Sequence, residues 1–273
     1  MSADAAQSQS QSQRQKRWPV GLLLLCGILA CNPVRSADLV QTIEAVKPSV
    51  VAIATYQKTR SPAAVFFGTG FAVGDGLTIV TNAHVVATQT DAEKSGALGI
   101  LAAAASGASD APQFRPAVLI ATDAEHDLAV LRITGVPLTA LRLGDSSELR
   151  EGQSLAFTGF PLGMVLGFHR ATHRAMLSAI TPIVQPAYNP RGLDAKAIRQ
   201  LQRSAYGVLQ LDGTAYPGNS GSPLYDPSSG MVYGVINMVF VKGLKESAIS
   251  QPSGISYAIP SNYIRELLAR RPG

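Results

Sequence analysis

Cysteine is nearly absent from this 273-residue sequence: there are two, Cys26 and Cys31, and both fall in the first 37 residues. The rest of the chain must fold without a disulfide, which excludes a disulfide-stapled scaffold and cysteine zinc sites. Charge is scarce too, at 15% against 46% hydrophobic residues, and that balance excludes disorder of the whole chain. The net charge of +5 is concentrated at the start, where Arg14, Lys16, Arg17 and Arg35 face Asp4 alone; beyond residue 37 the balance is only +2. No nucleic acid partner is expected from so weak an excess. The sequence contains no H-E-x-x-H and no G-x-x-x-x-G-K-[ST], so neither a metal nor a nucleotide cofactor is expected. The apolar run at residues 20–30 (VGLLLLCGILA) is too short to span a bilayer comfortably.

That run instead completes an export signal. A basic stretch at Arg14, Lys16 and Arg17 precedes it, and Val34 and Ser36 supply small residues for cleavage after Ser36. The ILAC stretch ending at Cys31 is a degenerate lipoprotein box, which leaves a lipid anchor at Cys31 open. Residues 1–37 are therefore read as signal peptide and leader, with a periplasmic or secreted destination and no other membrane association.

The remainder, 38–273, reads as a series of short strands. Asp38 is positioned to cap an amphipathic helix ending before Pro48. Strand-like runs follow at residues 49–56, 65–73, 77–82, 117–123, 128–133, 154–160, 175–185, 208–212, 231–240 and 254–260. Residues 88–112, rich in Ala, Gly, Ser and Asp, read as a surface insertion with room for a short helix around 99–105. Residues 190–204 read as a surface helix. A last helix over about 262–271, capped by Ser261 or Asn262, closes the chain. Many short strands with turns between them suit two packed barrels, the first over about 38–145 and the second over about 146–260.

Three stretches carry chemistry when taken together: TNAHVV (81–86), HDLAVL (126–131) and YPGNSGSPL (216–224). A serine hydroxyl is a poor nucleophile at neutral pH. It needs a base within hydrogen-bond reach, and that base needs a carboxylate to hold its tautomer. His84, Asp127 and Ser220 supply these types in the chain order His, Asp, Ser, which separates this pattern from subtilisin-like and α/β-hydrolase orders. Asp123 and His126 compete on paper, because strand alternation alone gives Asp123 no privileged direction. Asp127 is preferred because it directly precedes the apolar strand. His126, His169 and His173 read as surface residues.

The sequence resembles the protease domain of the HtrA (DegP-like) family of exported chymotrypsin-like serine proteases. The resemblance rests on GTGFAV (68–73), TNAHVV, HDLAVLRI, LGDSSELREGQ (143–153), GFPLG (159–163), GNSGSP (218–223) and ISYAIPSN (255–262). It implies an all-β fold, a chymotrypsin-like double six-stranded β-barrel with short N- and C-terminal helices. It also implies a serine endopeptidase acting through an acyl-enzyme on polypeptides, unfolded or damaged ones among them. Ser220 would be the nucleophile, His84 the base and Asp127 its orienting carboxylate, with the N–H groups of Gly218 and Ser220 as the oxyanion hole. The alignment puts Thr214 at the floor of the first specificity pocket, with Val235, Ile236, Asn237 and Met238 along its wall. The sequence departs from many relatives at Ser222, where a glycine is usual, and ends about seventy residues too early for the peptide-binding PDZ domain that many append. A non-catalytic chaperone on the same fold and an esterase are the competing readings, and oligomeric state is not legible.

Overall fold

A computed structural model describes residues 39–87, 96–102, 112–163, 167–183, 206–238 and 254–270. The segment read as an export signal, the expected Asp38 cap and the helix expected at 190–204 lie outside them. The described chain opens with helix α1 (Leu39–Val46) and a 3-10 turn at Lys47–Ser49. Six strands then alternate with short links: β1 (Val50–Tyr56), β2 (Ala64–Val73), β3 (Thr78–Asn82), β4 (Ala97–Ala102), β5 (Gln113–Asp123) and β6 (Leu128–Ile133), with the short helix α2 (Ala83–Ala87) directly after β3. Six more follow: β7 (Ser154–Gly159), β8 (Ala171–Ile183), β9 (Tyr206–Asp212), β10 (Pro223–Tyr225), β11 (Val232–Asn237) and β12 (Ile255–Pro260), before helix α3 (Ser261–Ala269). The first six close into a barrel in the order β1-β2-β3-β6-β5-β4, and the second six in the order β10-β11-β12-β9-β8-β7. Closure removes the exposed edges that short antiparallel strands would otherwise present.

Side-chain alternation explains why several strands read as unbroken apolar runs. Along β1, Val51 and Ile53 point into the first barrel, while Val50, Ala52 and Ala54 point into a layer shared with the second. β6 does the same, with Ala129 and Leu131 inside and Leu128 and Val130 outside. A strand buried on both faces has no polar side to show, so the period of two disappears from the sequence. The shared layer takes Phe160, Tyr225, Val235 and Ile259 from the second barrel and Ile264 and Leu267 from α3. The second barrel has its own core of Leu155, Phe157, Leu177, Leu209, Leu211 and Leu224.

Two expectations are corrected. Residues 97–102 form strand β4 and not part of a surface insertion with a helix. β4 pairs with β1 on one side and β5 on the other, so the first barrel could not close without it. Its Ile100 is fully buried, and that pairing outweighs the helix propensity of an alanine-rich stretch. The start of α3 is also not side-chain capped. Ser261 instead donates its hydroxyl to the Gly144 carbonyl at 2.9 Å, and Asn262 donates to the Asp145 carboxylate at 2.8 Å. These bonds tie α3 to the link between the barrels. Hydrogen bonds from the Ser147 hydroxyl, then from Asn262, pull the Asp145 carboxyl down to about 2.

Candidate active site

β3 ends at Asn82, and α2 carries His84, two residues on, to the rim of the first barrel. The tight turn from β5 to β6 brings Asp127 opposite. Its carboxylate is engaged on both oxygens: Oδ1 accepts the backbone N–H of His84 at 2.8 Å, and Oδ2 lies 2.6 Å from His84 Nδ1. The same Oδ2 accepts Asn237 Nδ2 at 2.8 Å. The Asp127 carbonyl accepts the Ala83 N–H and the Asn82 amide, each at 3.0 Å. Asp127 adopts φ +54°, a conformation that non-glycine residues hold only when their surroundings determine it several times over. The imidazole side chain is 26% exposed and the carboxylate 14%, so the pair is open on the histidine side. An anionic acceptor on Nδ1 fixes the tautomer that leaves Nε2 free to take a proton.

Ser220 stands in the link between β9 and β10, and its carbonyl accepts the Thr69 N–H from the first barrel at 2.8 Å. Thr69 is the centre of this joint. Its hydroxyl donates to the Gly218 carbonyl at 2.7 Å and accepts the Phe160 N–H at 3.1 Å, while its own carbonyl takes the Thr81 hydroxyl at 2.7 Å. The Pro217 carbonyl accepts the Leu162 N–H at 2.7 Å. Because the peptide is planar and trans, this points the Gly218 N–H the opposite way. Gly218 itself lies at φ +100°, and a Cβ there would sit 2.3 Å from the Phe160 carbonyl oxygen, so only glycine can hold this turn. Among the described residues, the N–H groups of Gly218 and Ser220 have no hydrogen-bond partner. On the far side of the loop, Gly221 donates to Ile236 and Ile236 to Ser222, both at 2.9 Å. Asn237, the next residue along β11, is the one that reaches Asp127. The Ser220 loop and the His84–Asp127 pair are thus fastened to each other across the barrel interface at Thr69 and again at Asn237.

The other residues singled out in the sequence are distributed differently. Val235 and Ile236 are fully buried, in the shared layer and in the second-barrel core respectively, while Met238 and Thr214 are partly exposed. Asn237, aligned with the pocket wall, is the third contact on Asp127, a connection no sequence spacing announces. His126 is buried at 9% exposure, not a surface residue, and its partner is Asp123. His169 is exposed. His173 lies on β8, half-buried and not fully at the surface, stacked on Phe157 with ring centroids 5.0 Å apart. Burial pushes its imidazole below the usual histidine value. Among the described residues, no group of three or more His, Cys, Asp or Glu is placed to hold a metal ion.

Twin antiparallel barrels with a histidine–carboxylate pair on one and a glycine-flanked serine on the other define the chymotrypsin-like class. The chain belongs to the trypsin-like peptidase family, whose profile matches residues 68–235. It is 32% identical over 194 residues to a probable periplasmic serine endoprotease DegP-like of Halomonas elongata, covering 71% of this chain and 32% of that protein. It is 29% identical over 236 residues to serine protease HTRA1A of Danio rerio, covering 85% of this chain and 40% of that one. The chain therefore spans well under half the length of these relatives. Among solved structures, the HtrA-type protease AlgW with decapeptide superposes with a TM-score of 0.60 at 22% identity, covering 85% of this chain and 67% of that one, which shows the shared fold. The HtrA (DegP-like) resemblance read from the motifs holds.

Proposed function

We propose that this chain is an exported serine endopeptidase in which Ser220, His84 and Asp127 form the catalytic triad. The observation that carries the reading is the 2.6 Å contact between His84 Nδ1 and Asp127 Oδ2, in a chain whose Ser220 loop is bonded to the same two barrels. Ser220 Oγ attacks the scissile carbonyl carbon while His84 Nε2 takes its proton. The resulting oxyanion is received by the N–H groups of Gly218 and Ser220. His84 then hands the proton to the leaving amine as the C–N bond breaks, and water repeats the sequence on the acyl-enzyme. Asp127 stays ionised throughout and stabilises the imidazolium.

Polypeptides are the proposed substrates, unfolded or damaged ones in particular, and the first specificity pocket is assigned to Thr214 and Met238 with the adjacent backbone. The basic, apolar and small-residue succession at 14–37 supports export, as does the likeness to a periplasmic DegP-like relative. The test is a fluorophosphonate probe together with hydrolysis of unfolded casein. Wild type is expected to be labelled at Ser220 and to cleave casein, and Ser220→Ala is expected to do neither while keeping its thermal unfolding temperature. Casein cleavage by the Ser220→Ala chain within tenfold of wild type would refute the triad. Labelling at Ser220 without any peptide cleavage would favour an esterase.

A further inference from the structure

The turn that presents Asp127 contains a second histidine–carboxylate pair that the proposed chemistry does not use. Asp123, the last residue of β5, folds its carboxylate back over the turn. Oδ1 accepts the N–H groups of Glu125 and His126, each at 3.1 Å, and Oδ2 lies 2.7 Å from His126 Nδ1. Burial alone would raise the Asp123 carboxyl, but the His126 ring and the two N–H groups outweigh it and hold the group below the usual carboxylate range. Both side chains are nearly closed to solvent, at 9% for Asp123 and 11% for His126.

The His126 ring is gripped from the second barrel. It stacks on Tyr263 of α3 with centroids 3.9 Å apart and planes at 17°, and it meets the edge of Tyr206 on β9 at 4.8 Å. His126 is the residue immediately before Asp127, whose left-handed backbone must be enforced from outside. At its carbonyl and carboxylate, that enforcement comes from Ala83, Asn82, His84 and Asn237. Upstream, only the turn precedes it, and the turn is closed by Asp123 and pinned through His126 to α3 and β9.

We propose that His126 and Asp123 are positioning residues for Asp127, coupling the catalytic carboxylate to the C-terminal helix through the His126–Tyr263 stack. The proposal rests on the triad reading above. Releasing the ring lets the turn relax toward ordinary φ, swings the Asp127 carboxylate off His84, and lowers turnover without touching the substrate. A full ångström of misplacement at a catalytic group costs about 10²-fold, so a partial release should cost about tenfold.

A mutant cycle tests this with fluorophosphonate inactivation of the full chain. His126→Phe keeps a stacking ring and loses the bond to Asp123. It should lower the maximal inactivation rate about tenfold while leaving the inhibitor's KI within twofold. In an Asp127→Asn background the same change should have an effect under twofold, because its route to the reaction has already been removed. Asp123→Ser, which can still accept a turn N–H but releases the His126 ring, should reproduce the loss and serves if His126→Phe does not fold. An equal fractional loss in both backgrounds, or a His126→Phe rate within twofold of wild type, would overturn the positioning role. If Asp127→Asn alone retains full reactivity, the triad itself fails and the positioning role falls with it. That result is separate from a failed cycle in which Asp127→Asn is crippled.

Discussion

Thr69→Val isolates the joint between the Ser220 loop and the first barrel. Valine has nearly the shape of threonine and keeps both backbone bonds of residue 69, so only the hydroxyl is lost. That hydroxyl makes two bonds, to the Gly218 carbonyl at 2.7 Å and from the Phe160 N–H at 3.1 Å, and Thr69 is fully buried. The Phe160 N–H would be left buried and unpaired, at a cost of about 1–3 kcal/mol. The Gly218 carbonyl is nearer solvent and would lose about 1 kcal/mol. The expected destabilisation is therefore about 2–4 kcal/mol, a large part of the 5–15 kcal/mol typical of a folded domain.

The consequence for turnover follows from the same bond. The hydroxyl holds the Gly218–Asn219 peptide, and with it the angle between the two N–H groups assigned to the oxyanion. Complete loss of one such donor costs about 10²–10³ in kcat. A loosened donor should cost less, about tenfold to a hundredfold. Urea unfolding with an unchanged slope gives the stability, and initial rates on one peptide give kcat and KM. Thr69→Ser, which restores the hydroxyl, should recover most of both. A valine variant within about 0.5 kcal/mol of wild type and within twofold in kcat would show that the loop holds its shape without the hydroxyl.

Asn237→Ala removes a hydrogen bond to an ionised carboxylate, worth about 1.5–3 kcal/mol, so kcat should fall about tenfold to 150-fold with KM steady. A change in KM with kcat intact would mean that Asn237 serves the substrate pocket instead. His173→Phe should flatten the acid side of the stability curve. Burial lowers the His173 pKa from 6.5, so the unfolded chain binds more protons below that pH; its contribution is full above 6.5 and falls as pH drops. Urea midpoints at about pH 7.5 and 5.5 compare the two proteins, and an unchanged pH dependence would contradict the assignment to His173. Cleavage should follow small or medium aliphatic residues, because Thr214 offers a buried cation no counter-charge. Dominant cleavage after Arg or Lys in a peptide-library profile would show the pocket to be built elsewhere.

The double barrel was legible because most strands carry β-branched or aromatic residues between glycine-marked turns, as LTIVTN and LAVLRI do. β4 escaped because its neighbours in sequence are alanine-rich and its reason for being extended lies in its pairing with β5 and with β1, which ends far back at Tyr56. The pairing of His84 with Asp127, and Ser220 as the serine to propose beside it, were legible because nucleophile chemistry restricts residue types and their order. The Asn237 contact with Asp127 was not, since an asparagine inside an apolar strand carries no local sign of what its amide will meet 110 residues away in sequence.

The choice between Asp123 and Asp127 shows where strand periodicity stops being informative. The two lie at the ends of one turn, and alternation along β5 or β6 does not reach across it. What separates them is the turn's own need for acceptors. The N–H groups of Glu125 and His126 have no strand partner, and the carboxylate that precedes them by two and three residues is the nearest acceptor available. An aspartate in that position curls inward and is used up by its own backbone, a pattern that Asp-x-x-His already encodes. Asp127, at the exit of the turn, has no such local claim on its oxygens. Its left-handed φ turns them away from the strand it begins, toward α2, and His84 and Asn237 meet them there. The carboxylate free of local duties is the one available for long-range contacts, and by this argument Asp123→Asn should reach the chemistry only through the turn that holds Asp127.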